Sequence, residues 1–243
     1  MNLPKDRRAL LEMMKSCGEQ KEISIAKAIH AHVMQRGDLH KDICLCNALI
    51  SVYDNCGALT DAVTFFEGLP CPNVISWNSI ISMYYHHGLH YQAFYSFKHM
   101  QIRGQSPNVV TYICILKCCS NIGFIKNGEE IHALIIMQAL LHTNLALGNV
   151  LVHMYAKCGF LAKAQEVHDG IFVQDVISWT TLIAGYVQQG HGQEALNCLE
   201  HIQSEGLSPD SVTFLCILRA CGIVRAIDKG KQIHREIVHR HML

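Results

Sequence analysis

Apolar residues along the chain recur at i, i+3, i+4 and i+7, the spacing that lines one face of an α-helix. The stripe appears as Cys46, Leu49, Ile50, Tyr53; Trp77, Ile80, Ile81, Tyr84; and Tyr112, Ile115, Leu116, Cys119. It continues as Gly148, Leu151, Val152, Tyr155; Trp179, Leu182, Ile183, Tyr186; and Phe214, Ile217, Leu218, Cys221. Gly57, Gly88, Gly123, Gly159 and Gly190 follow five of these stripes at one fixed place, where a helix ending in a left-handed turn favours glycine. A second helix is then expected, with a small residue at a constant position: Ala62, Ala93, Gly128, Ala164 and Ala195. Two further copies, opening at Arg7 and Ser211, keep the small residue as Ala26 and Gly230 but carry Lys21 and Arg225 where the turn glycine belongs.

The pattern is periodic at a longer scale. Val74-Ile75-Ser76-Trp77 returns as Val176-Ile177-Ser178-Trp179, a shift of 102 residues that also carries Asn73 onto Asp175, Asn108 onto Asp210, and His30 onto His132 and then His234. Within that period lie three weaker copies, ending at Asp42, Asn73, Asn108, Asn144, Asp175 and Asp210, at intervals of 31, 35, 36, 31 and 35. One helical hairpin cannot bury its own apolar face, so such units stack and share a continuous core. The expected fold is an all-α solenoid of tandem helix-turn-helix repeats. It is expected to be a single array over 1–243 with repeats 7–42, 43–73, 74–108, 109–144, 145–175, 176–210 and an incomplete 211–243. Pro4-Lys5-Asp6 reads as the tail of an earlier copy, and the last copy stops at Leu243 short of its expected end. Truncation at both ends, and self-association through the uncapped faces, follow from that reading.

Composition narrows the class. Half the residues are hydrophobic and 16% are charged, with no biased run, so the chain is expected to be ordered. No apolar run approaches the ~18 residues that span a bilayer, so no membrane partner is expected. Lys plus Arg equals Asp plus Glu, 20 each, which counts against a partner held by phosphate contacts alone. The twelve cysteines, among them Cys17, Cys119 and Cys221, fall inside apolar helical stretches and read as reduced core thiols, which favours an intracellular or organellar compartment. Cys44-Leu45-Cys46, Cys118-Cys119 and His30-Ala31-His32 lack the paired spacing of a zinc site; core thiols and partly exposed histidines are the reading, and neither metal nor cofactor is expected. Phosphate-cradling Gly-rich loops and Gly-x-Ser-x-Gly elbows are missing. Trp77 and Trp179 open the apolar stripe and read as buried rather than as base-stacking residues.

Segments such as NALISVY, VISWNSIISMY and GLSPDSVTF, set in this alternation of lengths, resemble the pentatricopeptide-repeat proteins, in particular the plant-type subclass that alternates standard, long and short repeats. The resemblance covers essentially the whole chain; a tetratricopeptide array would not give these intervals. It implies a right-handed solenoid that binds single-stranded RNA at one base per repeat, through the fifth and last residues of each copy. Carried onto this sequence, the pairs are Asn47 with Asn73, Asn78 with Asn108, Asn149 with Asp175, and Thr180 with Asp210. The family also sets an aliphatic second residue against the base faces, here Ile75, Val110, Ile177 and Val212, with the smaller Cys44 and Ala146 in the short copies. Leu11 and Ile113 hold the fifth place in long copies and cannot bond a base, so those copies read as spacers.

The pairs have a chemical logic. Uracil and guanine present a ring N–H that an Asp carboxylate accepts, whereas cytosine and adenine present a ring acceptor that suits an Asn amide. Asn at the fifth place reaches a pyrimidine and the shorter Thr leaves room for a purine. The order from the N-terminus is then pyrimidine (cytosine favoured), pyrimidine (cytosine favoured), unread, uracil, guanine. Asn and Asp just before a helix are also ordinary N-cap residues, and residue type alone favours that role; the resemblance implies base reading for the standard and short copies.

Because this subclass often ends in a cytidine deaminase, the zinc motif H-x-E with P-C-x-x-C is relevant. His234-Arg235-Glu236 matches the first half but occupies the place of His30 and His132, and Pro70-Cys71 runs into Pro72-Asn73, so no catalytic motif is present in this chain. The resemblance therefore implies an organellar (mitochondrial or chloroplast) RNA-binding protein that marks a site for C-to-U editing, with a deaminase or editing factor supplied elsewhere. The alternatives are RNA processing or stabilisation, or a scaffold for proteins, which the neutral charge favours.

Overall fold

The computed structural model describes residues 4, 6–36 and 42–240; Lys5 and Leu243, on which the reading of truncated ends rests, lie outside them. The described residues form fourteen helices and no strand. They are α1 (Arg7–Gln20), α2 (Ile23–Arg36), α3 (Ile43–Asn55), α4 (Leu59–Glu67), α5 (Val74–His86), α6 (His90–Ile102) and α7 (Val109–Ile122), followed by α8 (Ile125–Met137), α9 (Leu145–Lys157), α10 (Leu161–Asp169), α11 (Val176–Gln188), α12 (Gly192–Ser204), α13 (Ser211–Val224) and α14 (Ile227–His239). Helix lengths account for the intervals between copies. α4 and α10 have nine residues where α6 and α12 have 13, about one turn fewer. α1, α7 and α13 have 14 residues where α5 and α11 have 13, the single residue by which a long copy exceeds a standard one.

The chain forms two compact units, residues 1–118 and 119–243, the division falling within α7. In the first, α1, α3 and α5 pack successively to form one layer, and α2, α4 and α6 pack behind them, each against its neighbours in the chain. In the second, α9, α11 and α13 form the corresponding layer, with α8, α10, α12 and α14 behind. Each unit is thus a short stack of helical hairpins, and the apolar stripes meet within it: Leu49, Ile50, Tyr53, Leu151, Val152, Leu182 and Ile183 are fully buried. Trp77 and Trp179 are buried as well, whereas Tyr84, Tyr186 and Leu218 are only half-buried. The small residues of the second helices, Ala62, Ala93, Ala164 and Ala195, have no exposure, which is the close helix approach that their size permits.

Every hairpin turn contains a left-handed residue. It is glycine five times, and Lys21 (φ 56°) and Arg225 (φ 58°) in the first and last copies. The closing bond is retained there, Ala226 N–H donating to Cys221 O at 2.9 Å as Ala58 N–H donates to Tyr53 O at 2.9 Å. The Schellman geometry therefore overrides side-chain preference, at a cost on the order of 1 kcal/mol for a residue with a Cβ.

Related histidine–tyrosine pairs join consecutive hairpins in the two units. His30 Nδ1 lies 2.8 Å from Tyr53 Oη, and His132 Nδ1 lies 3.0 Å from Tyr155 Oη. Burial lowers both imidazole pKa values and pushes both phenols up to about 12. None of the twelve cysteines forms a disulfide, but Cys44 and Cys71 are exposed, which corrects the reading of the cysteines as core thiols. Cys44 is the second residue of α3, off its buried stripe, and Cys71 lies in the connection from α4 to α5. His30 and His32 are partly exposed, whereas His168 is fully buried, its ring 4.3 Å from that of Trp179. No described helix is long and apolar enough to cross a membrane.

Candidate nucleic-acid interface

The last residue of each short or standard copy immediately precedes the first helix of the next, where several backbone N–H groups lack helical partners. Asn73, Asp175 and Asp210 are N-caps in extended backbone, accepting from Ser76 N (3.0 Å), Ser178 N (2.7 Å) and Thr213 N (2.7 Å) respectively. Asn108 accepts from Thr111 N at 3.1 Å in the same way. The N-cap reading is therefore correct as far as it goes.

The cap also fixes what each side chain has left to offer. A backbone N–H needs an oxygen, so Oδ1 of Asn73 and Asn108 must turn toward the helix, and the group left over is the amide NH2, a donor. For Asp175 and Asp210 the group left over is the second carboxylate oxygen, an acceptor. One local structure thus presents opposite hydrogen-bonding character according to whether Asn or Asp caps it.

The fifth residues lie beside these caps. Asn47 Nδ2 is 3.5 Å from Asn73 Oδ1, and Asn78 Nδ2 donates to Asn108 Oδ1 at 3.1 Å. The structure adds a third member that sequence reasoning missed, a hydroxyl at the third place of the following copy. Ser76 Oγ donates to Asn47 Oδ1 (2.6 Å), and Thr111 Oγ1 donates to Asn78 Oδ1 (2.6 Å). Thr213 Oγ1 lies 2.6 Å from Thr180 Oγ1 and donates to Asp210 Oδ1 at 2.7 Å. Ser178 differs: it donates to the Asp175 main-chain oxygen at 2.8 Å, and Asn149 Oδ1 is buried with no hydrogen-bond partner among the described residues. Ser76, Thr111, Ser178 and Thr213 are all fully buried. Their regular spacing in the sequence is the one signal of them, and it does not separate them from ordinary first-turn hydroxyls.

Around the pairs, Ile75, Val110, Ile177 and Val212, each the second residue of its helix, are between 54% and 61% exposed. Cys44 and Ala146 are exposed too. In the second unit Ile177, Thr180, Asp210 and Val212 line one cleft of about 360 Å³ with Lys157 and Gln188. Two aliphatic walls with a polar pair between them suit a planar ring with a hydrogen-bonding edge.

The remaining candidates have structural roles. Asp42, which ends the first long copy, is bonded to Arg7, and this lowers its pKa. Leu11 and Ile113 are half-buried. Glu236 is bonded to Arg240 at 2.6 Å and His234 is exposed. Among the described residues no three His, Cys, Asp or Glu side chains cluster so as to hold a metal ion.

Comparison with known proteins agrees with this geometry. A model described as the PPR repeat family matches residues 72–121 and 174–222, and one described as a pentatricopeptide repeat domain matches residues 31–86. The chain is 31% identical over 243 residues to a chloroplastic pentatricopeptide repeat-containing protein of Arabidopsis thaliana, covering 100% of this chain and 33% of that relative. It is 28% identical over 234 residues to a mitochondrial one from the same plant, covering 96% of this chain and 37% of the relative. The chain thus spans about a third of the length of these relatives. The crystal structure of pentatricopeptide repeat protein PPR10 from maize superposes with a TM-score of 0.68 at 19% identity, over 97% of this chain and 35% of that one. A structure of PPR10 in complex with an 18-nt psaJ RNA element matches with a TM-score of 0.64 at 16% identity, over 96% of this chain and 40% of that one.

Proposed function

Since the chain belongs to the pentatricopeptide-repeat family, we propose that it binds single-stranded RNA sequence-specifically, its four polar pairs each addressing one base. The observation that carries the reading is the chemistry left over after capping: an amide donor at Asn73 and Asn108, a carboxylate acceptor at Asp175 and Asp210. Exposed aliphatic residues beside each pair support it, because a base needs an apolar surface for its faces as well as partners for its edge.

The Asn47–Asn73 and Asn78–Asn108 pairs favour cytosine, Asn149–Asp175 uracil, and Thr180–Asp210 guanine. The long copies act as spacers. Ile75 and Ile177 stack on bases, and Lys157, the Lys or Arg lining its cleft, offers charge to the backbone. On the alternation of 31, 35 and 36, the chain falls in the subclass of standard, long and short repeats, and the seven copies form one array. The biological role that suits this subclass is marking a cytidine for C-to-U editing in a mitochondrion or chloroplast, with the deaminase supplied by another segment or protein.

Four reading pairs and a net charge of zero leave little electrostatic affinity, so binding should be weak and depend only modestly on salt. Filter binding with single-stranded RNA containing the read order, against duplex DNA of the same sequence, tests the proposal. Preference for the single strand is expected. Equal affinity would show that base edges are not read and would favour the protein-scaffold alternative.

A further inference from the structure

The layer of second helices carries two related clefts, one in each unit, set around the two tryptophans. In the second unit Trp179, His201, Cys198 and Glu205 line a cleft, and Trp179 Nε1 donates to Glu205 Oε2 at 3.1 Å. In the first unit the residues 102 positions earlier, Trp77, His99, Ser96 and Arg103, line a cleft of about 370 Å³ together with Tyr95 and Glu67. The walls correspond: the Trp77 and His99 ring centroids are 5.7 Å apart, those of Trp179 and His201 5.6 Å. The hydrogen bonding does not. Arg103 replaces the carboxylate of Glu205, and the Nε1–H of Trp77, a residue that is 97% buried, has no hydrogen-bond partner among the described residues.

A buried donor without an acceptor costs about 1–3 kcal/mol, and a cation has taken the place of the group that removes this cost in the other unit. We propose that this cleft is a docking site for a carboxylate side chain of a partner protein, Asp or Glu on an otherwise apolar segment. The carboxylate accepts from Trp77 Nε1 and pairs with Arg103, whose guanidinium has no partner among the described residues. Tyr95, 72% exposed and stacked on His99 at 6.0 Å, supplies an aromatic wall for the neighbouring apolar side chains. Charge limits the occupant. Glu67 lines the same cleft and offsets Arg103, so the pair leaves no net positive charge to draw a run of phosphates, and a single carboxylate is selected by the Trp77 donor and a direct contact with Arg103. The site is independent of the proposed RNA face.

The chain contains two tryptophans, so a 15N–1H correlation spectrum of the whole chain shows two indole signals, assigned with Trp77→Phe. Titration with acetyl-Leu-Glu-Leu-amide should move the Trp77 signal downfield, toward a hydrogen-bonded position, and leave that of Trp179 in place. The Gln counterpart should bind about ten-fold more weakly, the difference between a charged and a neutral acceptor. Arg103→Glu should shift the Trp77 signal without peptide and abolish the response; Arg103→Gln should weaken the response without shifting the signal. An unmoved Trp77 signal at saturating peptide, or equal responses to the Glu and Gln peptides, overturns the proposal. So does a response to an RNA oligonucleotide in place of the peptide, which would assign the cleft to phosphate.

Discussion

Thr213→Val separates the two roles of the buried hydroxyl at the Thr180–Asp210 pair. Valine keeps the shape of threonine and leaves the 2.7 Å cap from Thr213 N–H to Asp210 intact. What is lost is the hydroxyl that donates to the Asp210 carboxylate at 2.7 Å and meets Thr180 Oγ1 at 2.6 Å. A bond to a charged acceptor contributes about 1.5–3 kcal/mol, and Thr180, 8% exposed, is left with an unpaired hydroxyl. With some return from the added methyl group, the expected loss of stability is about 2 kcal/mol, measured by urea unfolding. Because Thr180 is no longer tied to its neighbour, preference for guanine at that position should also fall about ten-fold in single-base RNA competition, the scale of one well-placed polar contact. Thr213→Ser should restore both. Loss of stability with an unchanged base preference would reduce the hydroxyl to a capping group; unchanged stability within about 0.5 kcal/mol would refute the hydrogen-bond argument itself.

Arg225→Gly should stabilise the chain by up to about 1 kcal/mol, since the left-handed turn at φ 58° disfavours a Cβ; unfolding midpoints check it, and destabilisation would refute the strain argument. Ile177→Ala should change thermal stability little, because the side chain is 61% exposed, while weakening RNA binding several-fold; the reverse pattern would make Ile177 a core residue. The His30–Tyr53 and His132–Tyr155 pairs give stability two edges in pH. The imidazole pKa values are lowered in the folded chain, so unfolding takes up protons and stability should drop as pH falls below 6.5, the ordinary histidine value. The phenol pKa values are raised, so stability should drop as pH rises from 10 to about 12; melting curves that are flat across both windows would contradict these shifts.

Much of the fold was legible because it depends on patterns that one residue type can signal. The i, i+3, i+4, i+7 stripes locate the first helices, and Asn73, Asp175 and Asp210 announce the caps. Contacts between copies were less legible. Nothing about Lys21 or Arg225 by itself signals a left-handed turn, which is imposed by the closing hydrogen bonds. The bridging hydroxyls were present at a constant register, but Ser and Thr in the first turn of a helix are too common to stand out until their partners are seen. Tyr84 and Tyr186 follow the apolar spacing yet stay half-buried, because their clefts open beside Trp77 and Trp179, and only the three-dimensional arrangement reveals that.

The most direct test of the central claim is the base preference of Asp210→Asn. Asn and Asp cap helices about equally well, so the variant should fold with Asn Oδ1 taking over the bond from Thr213 N–H, at a loss of about 1 kcal/mol because the Thr213 hydroxyl now meets a neutral acceptor. The group left for a base then changes from an acceptor to a donor with almost no change of shape. In competition between RNAs that differ at one base, preference at this position should move from guanine to adenine, by about 1–3 kcal/mol of discrimination. A variant that folds and binds RNA with the same preference as the parent chain would mean that Asp210 caps α13 and reads nothing.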